Sequence, residues 1–244
     1  MQVGVIVPAF NEGPRLAGVL EVLTSVPWLG RIVVVDDGSG DRTAEVARRF
    51  PVKIVQHSHN RGKGAALQTG LSHQKDADIV FFLDADLVGL QEPHLRALLE
   101  PLLRDPAVGM CVGTFCQGRW HVDLQQRWFS ILNGQRALSR RFLDRLPDLS
   151  WSGYGVEVLL STFAAHAQVR VAEAKLPGLT HVLKEEKFGL LKGFRLRLKM
   201  YAEVLRALAV CRRFYPVTRP KPIFPELPPP PDERPEDFSP ELPL

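Results

Sequence analysis

The stretch FFLDADLVG, residues 81–89, places two carboxylates directly after an apolar run. The run Val80 to Leu83 resembles a strand buried in a parallel sheet, since such strands are apolar without interruption. Asp84 and Asp86 then follow with one small residue between them. Two carboxylates this close repel each other, and leaving either one unpaired in a dry site is costly. The stretch therefore predicts a strand over 79–83 whose end lies beside a positive charge.

Apolar strand patterns alternate with helical patterns through the first 120 residues. This alternation predicts an α/β fold with a mostly parallel sheet and helices on both faces. Ligands of such sheets bind beyond the carboxyl ends of the strands. The predicted strands are 3–7, 32–35, 53–56, 79–83 and 108–115, and the predicted helices are 12–23, 41–50, 64–75 and 93–104.

Short polar stretches follow three of these strand ends: PAFNE, DDGSGD and DAD. Asp84 and Asp86 offer the oxygen ligands that Mg²⁺ takes together with water and phosphate, although acids also follow strands in solvated turns. Asp37 either belongs to a turn or accepts a hydrogen bond from a nucleotide base. Lys63, flanked by glycines at a helix start, suits a phosphate or ribose contact.

The second half is less regular. An Arg-rich helical pattern covers 122–146, a strand is predicted over 169–174, and a long basic helix over 187–213. The apolar stripe of that basic helix predicts packing on the domain or on a dimer partner; the alternative is an amphipathic helix on an anionic membrane. Its stripe consists of Leu191, Phe194, Leu198, Tyr201, Leu205 and Leu208.

Residues 216–244 contain eleven prolines, four of them consecutive at 228–231. This composition predicts a disordered or polyproline-like tail, because it offers little apolar surface to bury. The segment from Lys221 onward has two basic and six acidic residues, a net charge of −4. Because the whole chain carries +4, residues 1–220 carry about +8. A basic body favours an anionic partner. Nucleic acid is not favoured, since no basic run is interleaved with aromatic residues.

The cysteines and the length of the apolar runs indicate the cellular compartment of the protein. Three cysteines without CxxC spacing fit a reducing cytoplasm. No run approaches the roughly 20 apolar residues that span a bilayer, and no secretory signal is evident. We therefore expect a cytoplasmic protein.

Four motifs, in the order VIVPAFNE, VVVDDGSGDRT, NRGKGAAL and FLDADL, resemble those of family 2 glycosyltransferases with the GT-A fold. The resemblance covers about residues 3–115 and implies a nucleotide-sugar donor and a divalent cation, Mg²⁺ or Mn²⁺. It implies that Asp84 holds the ribose and that Asp86 holds the metal, with a catalytic role. The other donor-binding residues it implies are Pro8, Ala9, Glu12, Asp37 and Lys63.

The second half resembles the acceptor half of glucosyl-3-phosphoglycerate synthases and their small bacterial relatives. The resemblance rests on QGRWHVD, NGQRALSRRFLDRLP and GYGVEVLLS. It implies that Glu157 is catalytic and lies near the acceptor hydroxyl, and that His181 completes the metal site. It further implies acceptor contacts by Arg119, Tyr154 and Gly155.

These patterns predict one GT-A domain over 1–215, with a nucleotide-sugar-binding half at 1–118, an acceptor half at 119–215 and the proline-rich tail at 216–244. The leading hypothesis is a metal-dependent transferase that moves a hexose to a small phosphorylated or acidic acceptor. One alternative is a polyprenyl-phosphate glycosyltransferase at a membrane surface. Another is a non-catalytic nucleotide-sugar-binding protein, which would be expected to lack one acid of the Asp-x-Asp pair.

Overall fold

The computed structural model describes residues 1–116, 133–181 and 190–216, and for Cys116, His181 and residues 190–199 it describes the backbone only. The described strands are β1 (Val3–Ala9), β2 (Ile32–Asp36), β3 (Lys53–Gln56), β4 (Ile79–Phe82), β5 (Leu87–Val88), β6 (Val108–Cys116), β7 (Arg136–Ser139), β8 (Arg170–Pro177) and β9 (Thr180–His181). Seven of them form one sheet in the order β3-β2-β1-β4-β7-β6-β8, and β5 and β9 form a second, two-stranded sheet.

The large sheet is mostly parallel, as the sequence predicts. Strand β1 pairs in parallel with β2 and β4, β2 with β3, and β6 with β8. Only β7, among the described strands of this sheet, runs antiparallel to its neighbours, β4 and β6. The carboxyl ends of β1, β2 and β4 therefore meet at one edge, where the three polar stretches lie.

Helices cover both faces of the sheet, which confirms the predicted layering. The described helices are α1 (Gly13–Ser25), α2 (Thr43–Ala47), α3 (Lys63–Ser72), α4 (Glu92–Arg104), α5 (Arg140–Leu143), α6 (Val156–His166) and α7 (Leu190–Phe214). Leu20 of α1 and Leu98 of α4 belong to one buried cluster, together with Val5 and Phe81. Leu67 of α3 and Leu159 of α6 belong to a second cluster, and successive residues of β1 and β4 point into opposite clusters.

The Arg-rich pattern over 122–146 does not form one helix. Residues 136–139 are strand β7, paired with β4 and β6, and only α5 of this stretch is helical among the described residues. Tertiary pairing with two buried strands overrides the helical pattern here. The predictions made for residues 117–132 and for the proline-rich tail lie outside the described residues.

Among the described side chains of helix α7, the buried ones are small residues, and two large residues of the predicted apolar stripe are exposed. Ala207 and Cys211 are buried, whereas Tyr201 is 49% and Leu205 is 65% exposed. The contact is close: a Cβ added to Gly155 would lie 2.4 Å from the Cβ of Ala207. At Tyr201 and Leu205 the predicted packing on the domain is therefore wrong, and the alternatives of a dimer partner or an anionic membrane stay predictions. No helix in the described ranges is long and apolar enough to cross a membrane.

Candidate functional site

A lysine joins the Asp-x-Asp stretch to the second half of the chain. The Lys63 ammonium donates to Asp84 Oδ1 and to Glu157 Oε1, both at 2.6 Å. Asp84 follows β4, Lys63 begins α3, and Glu157 lies in the first turn of α6. The sequence predicts a positive charge beside the Asp-x-Asp pair; Lys63 lies beside Asp84, and the divalent cation implied by the resemblance stays a prediction.

Glycines on either side of Lys63 allow α3 to start close to the segment before α6. Gly62 precedes the helix with φ +93°, a left-handed conformation that side chains disfavour. A Cβ on Gly64 would lie 2.3 Å from both the Leu149 carbonyl oxygen and Ser152 Oγ. Any larger residue at position 64 would push α3 away from this segment and carry Lys63 with it.

The charge of Lys63 is set by competing effects. Burial lowers the pKa of its ammonium, but Asp84 and Glu157 act in the opposite direction and together raise it above the ordinary lysine value. Lys63 is therefore a cation at physiological pH, held between two carboxylates.

Gly134 and Gln135, directly before β7, lie beside Asp84, and the sequence predicts no role for either of them. Gln135 Nε2 donates to Asp84 Oδ2 at 2.9 Å. A Cβ on Gly134 would lie 2.4 Å from that same oxygen and 2.6 Å from Lys63 Nζ. Position 134 must therefore lack a side chain for Asp84 and Lys63 to keep this arrangement.

Arg136 of β7 is fully buried, although it lies in the Arg-rich stretch over 122–146. Its guanidinium donates to Ser161 Oγ at 3.1 Å and to the Asn133 carbonyl oxygen at 3.0 Å. Burial lowers the pKa of Arg136 to about 10, while the carboxylates of Glu157 and Asp84 act in the opposite direction. The Arg136 guanidinium is thus a second cation that interacts electrostatically with Glu157 and Asp84.

The loops after β1 and β2 are bonded to each other. The Asn11 backbone N–H donates to Ser39 Oγ at 2.9 Å, and the Glu12 N–H donates to Thr43 Oγ1 at the same distance. Pro8 and Ala9 form the end of β1, with Ala9 buried. The segments PAFNE and DDGSGD are therefore joined into one wall at this edge of the sheet, and their predicted binding of the donor stays a prediction.

Asp37 anchors the loop that leads to Lys63. Its carboxylate accepts hydrogen bonds from the backbone N–H groups of Arg61 at 2.9 Å and Gly62 at 2.7 Å, and from His57 Nδ1 at 2.6 Å. The side chain is buried by these contacts. Asp37 thus has a positioning role in the structure, and its predicted contact with a nucleotide base stays a prediction.

Asp86 lies directly before one strand of the small sheet, and His181 lies on the other strand. Asp86 is half-buried and directly precedes β5, whose Leu87 pairs with His181 of β9. This backbone pairing places the His181 backbone beside the Asp-x-Asp stretch. Among the described residues no group of three or more His, Cys, Asp or Glu side chains could hold a metal. Asp86 and His181 as metal ligands stay a prediction.

The predicted acceptor segment packs against α7. Glu203 of α7 accepts a hydrogen bond from the Tyr154 backbone N–H at 2.8 Å. Burial raises the pKa of the half-buried Tyr154 hydroxyl, and the nearby Lys63 ammonium opposes this. Gly155 is required for close packing on Ala207, whatever its contact with an acceptor. Arg119 lies outside the described residues.

The fold matches that of a known enzyme. The structure of glucosyl-3-phosphoglycerate synthase from Mycobacterium tuberculosis, in complex with Mn²⁺, uridine diphosphate and glucosyl-3-phosphoglycerate, superposes with a TM-score of 0.70. The match covers 86% of this chain and 79% of that one at 24% sequence identity. This likeness shows the shared fold and confirms the predicted GT-A architecture.

Curated relatives match shorter parts of the chain. An uncharacterized glycosyltransferase of Escherichia coli is 44% identical over 86 residues, which are 33% of this chain and 21% of that protein. An undecaprenyl-phosphate 4-deoxy-4-formamido-L-arabinose transferase of Edwardsiella ictaluri is 32% identical over 163 residues, 63% of this chain and 46% of that protein. A glucosyl-3-phosphoglycerate synthase of Petrotoga mobilis is 24% identical over 194 residues, 65% of this chain and 59% of that protein.

This chain thus spans between about a fifth and three fifths of the length of these relatives. The sequence model for glycosyl transferase family 2 matches residues 4–158, which include the Asp-x-Asp pair, Lys63 and Glu157. With the fold, the site and this match in agreement, the chain belongs to glycosyl transferase family 2.

Proposed function

We propose that this protein transfers a hexose from a nucleotide-diphosphate sugar, such as UDP-glucose, to a small phosphorylated or acidic acceptor. The observation that carries the proposal is the pair of 2.6 Å contacts by which Lys63 holds Asp84 and Glu157 together. A carboxylate from the predicted donor half and one from the predicted acceptor half meet at a single cation. A donor and an acceptor bound to the two halves would therefore meet there as well.

The residues of the site would have different roles in binding the donor and the acceptor. The wall formed by the loops after β1 and β2 would hold the nucleotide, with Pro8, Ala9 and Glu12 in contact with it. Lys63 can donate to a diphosphate oxygen, because an ammonium has three N–H donors and only two contact carboxylates here. Glu157, in the first turn of α6, can accept a hydrogen bond from the acceptor hydroxyl and orient it toward the sugar.

The carboxylate of Asp86 suits a hard divalent cation. Mg²⁺ and Mn²⁺ take carboxylate oxygens, and Mg²⁺ commonly keeps water and substrate phosphate as its other ligands, so it does not require three protein groups. Asp86 would hold the ion, with His181 of the neighbouring strand as the predicted second ligand. A bound ion would supply electrostatic stabilisation to the leaving diphosphate.

The comparisons support a phosphorylated acceptor without deciding it. Structures of the Mycobacterium tuberculosis synthase contain Mn²⁺ with UDP-glucose and phosphoglyceric acid, or Mg²⁺ with uridine diphosphate. The basic charge of residues 1–220 also favours acidic ligands.

The direct test is a matrix of nucleotide-sugar donors and acceptors, with release of nucleoside diphosphate and the glycosylated product both measured. The acceptors are 3-phosphoglycerate, glycerol 3-phosphate, unphosphorylated glycerate and a polyprenyl phosphate. We expect product only with a phosphorylated or acidic small acceptor, and only with Mg²⁺ or Mn²⁺ present. Glu157→Gln, which keeps the shape of the side chain, should lower product formation without preventing UDP binding.

A second candidate is favoured by the exposed side chains of α7. Tyr201 and Leu205 are exposed one turn apart, and Arg212, Arg213 and Phe214 are exposed near the end of the helix. Exposed apolar and basic side chains on one helix suit an anionic membrane surface. Relatives include transferases named for undecaprenyl phosphate and dolichyl phosphate. This candidate is a polyprenyl-phosphate glycosyltransferase.

The two candidates differ in vesicle binding. The leading proposal expects no sedimentation with phosphatidylglycerol vesicles at physiological salt. The second expects strong, salt-sensitive sedimentation that Leu205→Glu abolishes, together with transfer to polyprenyl phosphate. Leu103→Glu, at an exposed leucine of α4, is the matched control.

A further inference from the structure

A cavity of about 230 Å³ lies beside the candidate site, between three segments of the chain. The loop at 60–62, the segment at 150–153 and helix α7 form its walls. Its lining includes Asn60, Arg61, Trp151, Glu203 and Arg206. The cavity is thus built by the loop that Asp37 anchors, the segment before α6 and the C-terminal helix.

Two arginines from different elements line this cavity. Arg61 belongs to the loop before α3, and Arg206 belongs to α7. In the part of the chain that the structure describes, neither guanidinium has a hydrogen bond or an ion pair. The backbone of the loop at Arg61 is nevertheless fixed, because its N–H donates to Asp37 Oδ1.

The carboxylate of Glu203, which lines the cavity, already accepts a hydrogen bond. Glu203 accepts the Tyr154 N–H, and a Cβ on Gly153 would lie 2.2 Å from its Oε2, so the carboxylate is packed against the segment before α6. Among the described residues of the lining, two guanidiniums and one carboxylate carry charge, so the net charge of this lining is positive. Guanidinium forks match the oxygens of a phosphate in charge and geometry.

We infer that this cavity is an anion subsite that binds the phosphate group of a small ligand between Arg61 and Arg206. The half-buried Trp151 supplies a flat apolar wall for the carbon skeleton of the ligand. The cavity is smaller than the range of about 300–1,000 Å³ typical of drug-sized ligands, which fits a phosphate with a short carbon chain.

The subsite adjoins the candidate reaction centre. A Cβ on Gly62 would lie 3.3 Å from Gly153 Cα, and Lys63 follows Gly62 directly. Two glycine backbones thus separate the cavity from the lysine that contacts Glu157. This inference rests on the proposed function. The phosphate group that binds here belongs either to the acceptor or to the diphosphate of the donor.

Isothermal titration of the full chain with inorganic phosphate tests the subsite. We expect saturable binding that Arg61→Ala and Arg206→Ala each weaken by at least about fivefold, since each removes a charge-assisted contact. Arg212→Ala is the matched control, because Arg212 is exposed on the same helix and does not line the cavity. Its affinity for phosphate should equal that of the parent protein.

The same titration with saturating UDP and Mg²⁺ identifies the source. Phosphate that still binds assigns the subsite to the acceptor, and phosphate that UDP displaces assigns it to the donor diphosphate. Absence of saturable phosphate binding overturns the inference, as does equal affinity in the Arg61, Arg206 and Arg212 variants. UDP-sugar binding and turnover are measured separately on the parent protein. Failure of these two measurements would overturn the proposed function. The phosphate subsite would still stand if phosphate binding depended on both arginines.

Discussion

The Lys63 ammonium lies 2.6 Å from the Glu157 carboxylate, although 94 residues separate the two along the chain. The same ammonium contacts Asp84, so one side chain holds together a helix start, a strand end and the first turn of α6. The contact is largely shielded from water, since Glu157 is buried. The geometry of the site and the stability of the fold therefore depend on the same residue.

Lys63→Met should destabilise the protein as well as inactivate it. Removing one partner of a buried ion pair leaves an unpaired carboxylate, which costs about 3–5 kcal/mol in well-buried cases. Because Asp84 is 27% exposed and water screens it, we expect a loss nearer about 2–3 kcal/mol in the free energy of unfolding. Urea denaturation measures this loss, and the exposed Lys75→Met is the control. Equal midpoints for the two variants would show that the ion pairs contribute nothing to stability.

Asp86→Ala should abolish sugar transfer while leaving the melting temperature nearly unchanged. Asp86 is half-buried, and its predicted role is to hold a divalent cation. Such a cation would stabilise the transition state by several kcal/mol. EDTA should have the same effect on the parent protein, and added Mg²⁺ or Mn²⁺ should reverse it. Asp76→Ala removes an exposed carboxylate elsewhere and should retain full activity. Turnover that continues in EDTA would refute the metal assignment.

Gly134→Ala tests whether the arrangement of Asp84 and Lys63 matters for catalysis. The added methyl group would lie within 2.6 Å of both side chains, so one of them must move. Displacements of about 1 Å at an active site can cost about a hundredfold in rate, and we expect kcat/KM to fall by at least about tenfold. Gly18→Ala is the control: nothing lies within 4 Å of its added Cβ, and α1 should be stabilised by about 0.5–1 kcal/mol. Unchanged kcat/KM in Gly134→Ala would mean that this arrangement is not the catalytic one.

The cysteines should be protected in the native state. Burial raises the pKa of Cys111 to about 12, with a smaller contribution from Glu173, and burial also raises the pKa of Cys211. At mildly alkaline pH a thiol reagent should therefore modify at most Cys116 in the native protein and all three cysteines after unfolding in guanidinium chloride.

The same pKa shift of Cys111 has a consequence for stability. The folded pKa exceeds the ordinary value of 9.0, so above that pH the unfolded chain releases a proton that the folded chain retains. The contribution of Cys111 to stability is complete below about pH 9 and declines as the pH rises toward 12. Rapid native-state modification of two or more thiols would contradict the burial of Cys111 and Cys211.

The sequence was sufficient for the parallel core. Strands β1, β2 and β4 consist of continuous apolar residues followed by polar turns, and their pattern has few alternatives. Strand β3 was also predicted with its observed bounds, although its two end residues are exposed and its two middle residues are half-buried. The positions of Asp84 and Lys63 at the carboxyl edge followed from this pattern together with the general rule for ligand sites in α/β sheets.

The sequence was not sufficient for β7 or for the packing of α7. Strand β7 has four residues, RALS, between polar and basic neighbours, and its strand character comes from pairing with β4 and β6. The burial of Arg136 depends on that pairing, so it could not be inferred from a charge pattern. Among residues 200–214 of α7 the buried positions are Ala207 and Cys211, and periodicity of large apolar residues does not detect a contact made through small ones.

The antiparallel placement of β7 constrains the order in which the molecule can assemble during synthesis. When the ribosome has released residues 1–116, β1 to β4 can pair with one another, but β4 and β6 each lack the neighbour that residues 136–139 later provide. An unpaired strand edge is a template for association with other chains. A fragment that ends at residue 116 should consequently aggregate, and in the growing chain the sheet becomes continuous only as β7 emerges and inserts between strands that were translated before it.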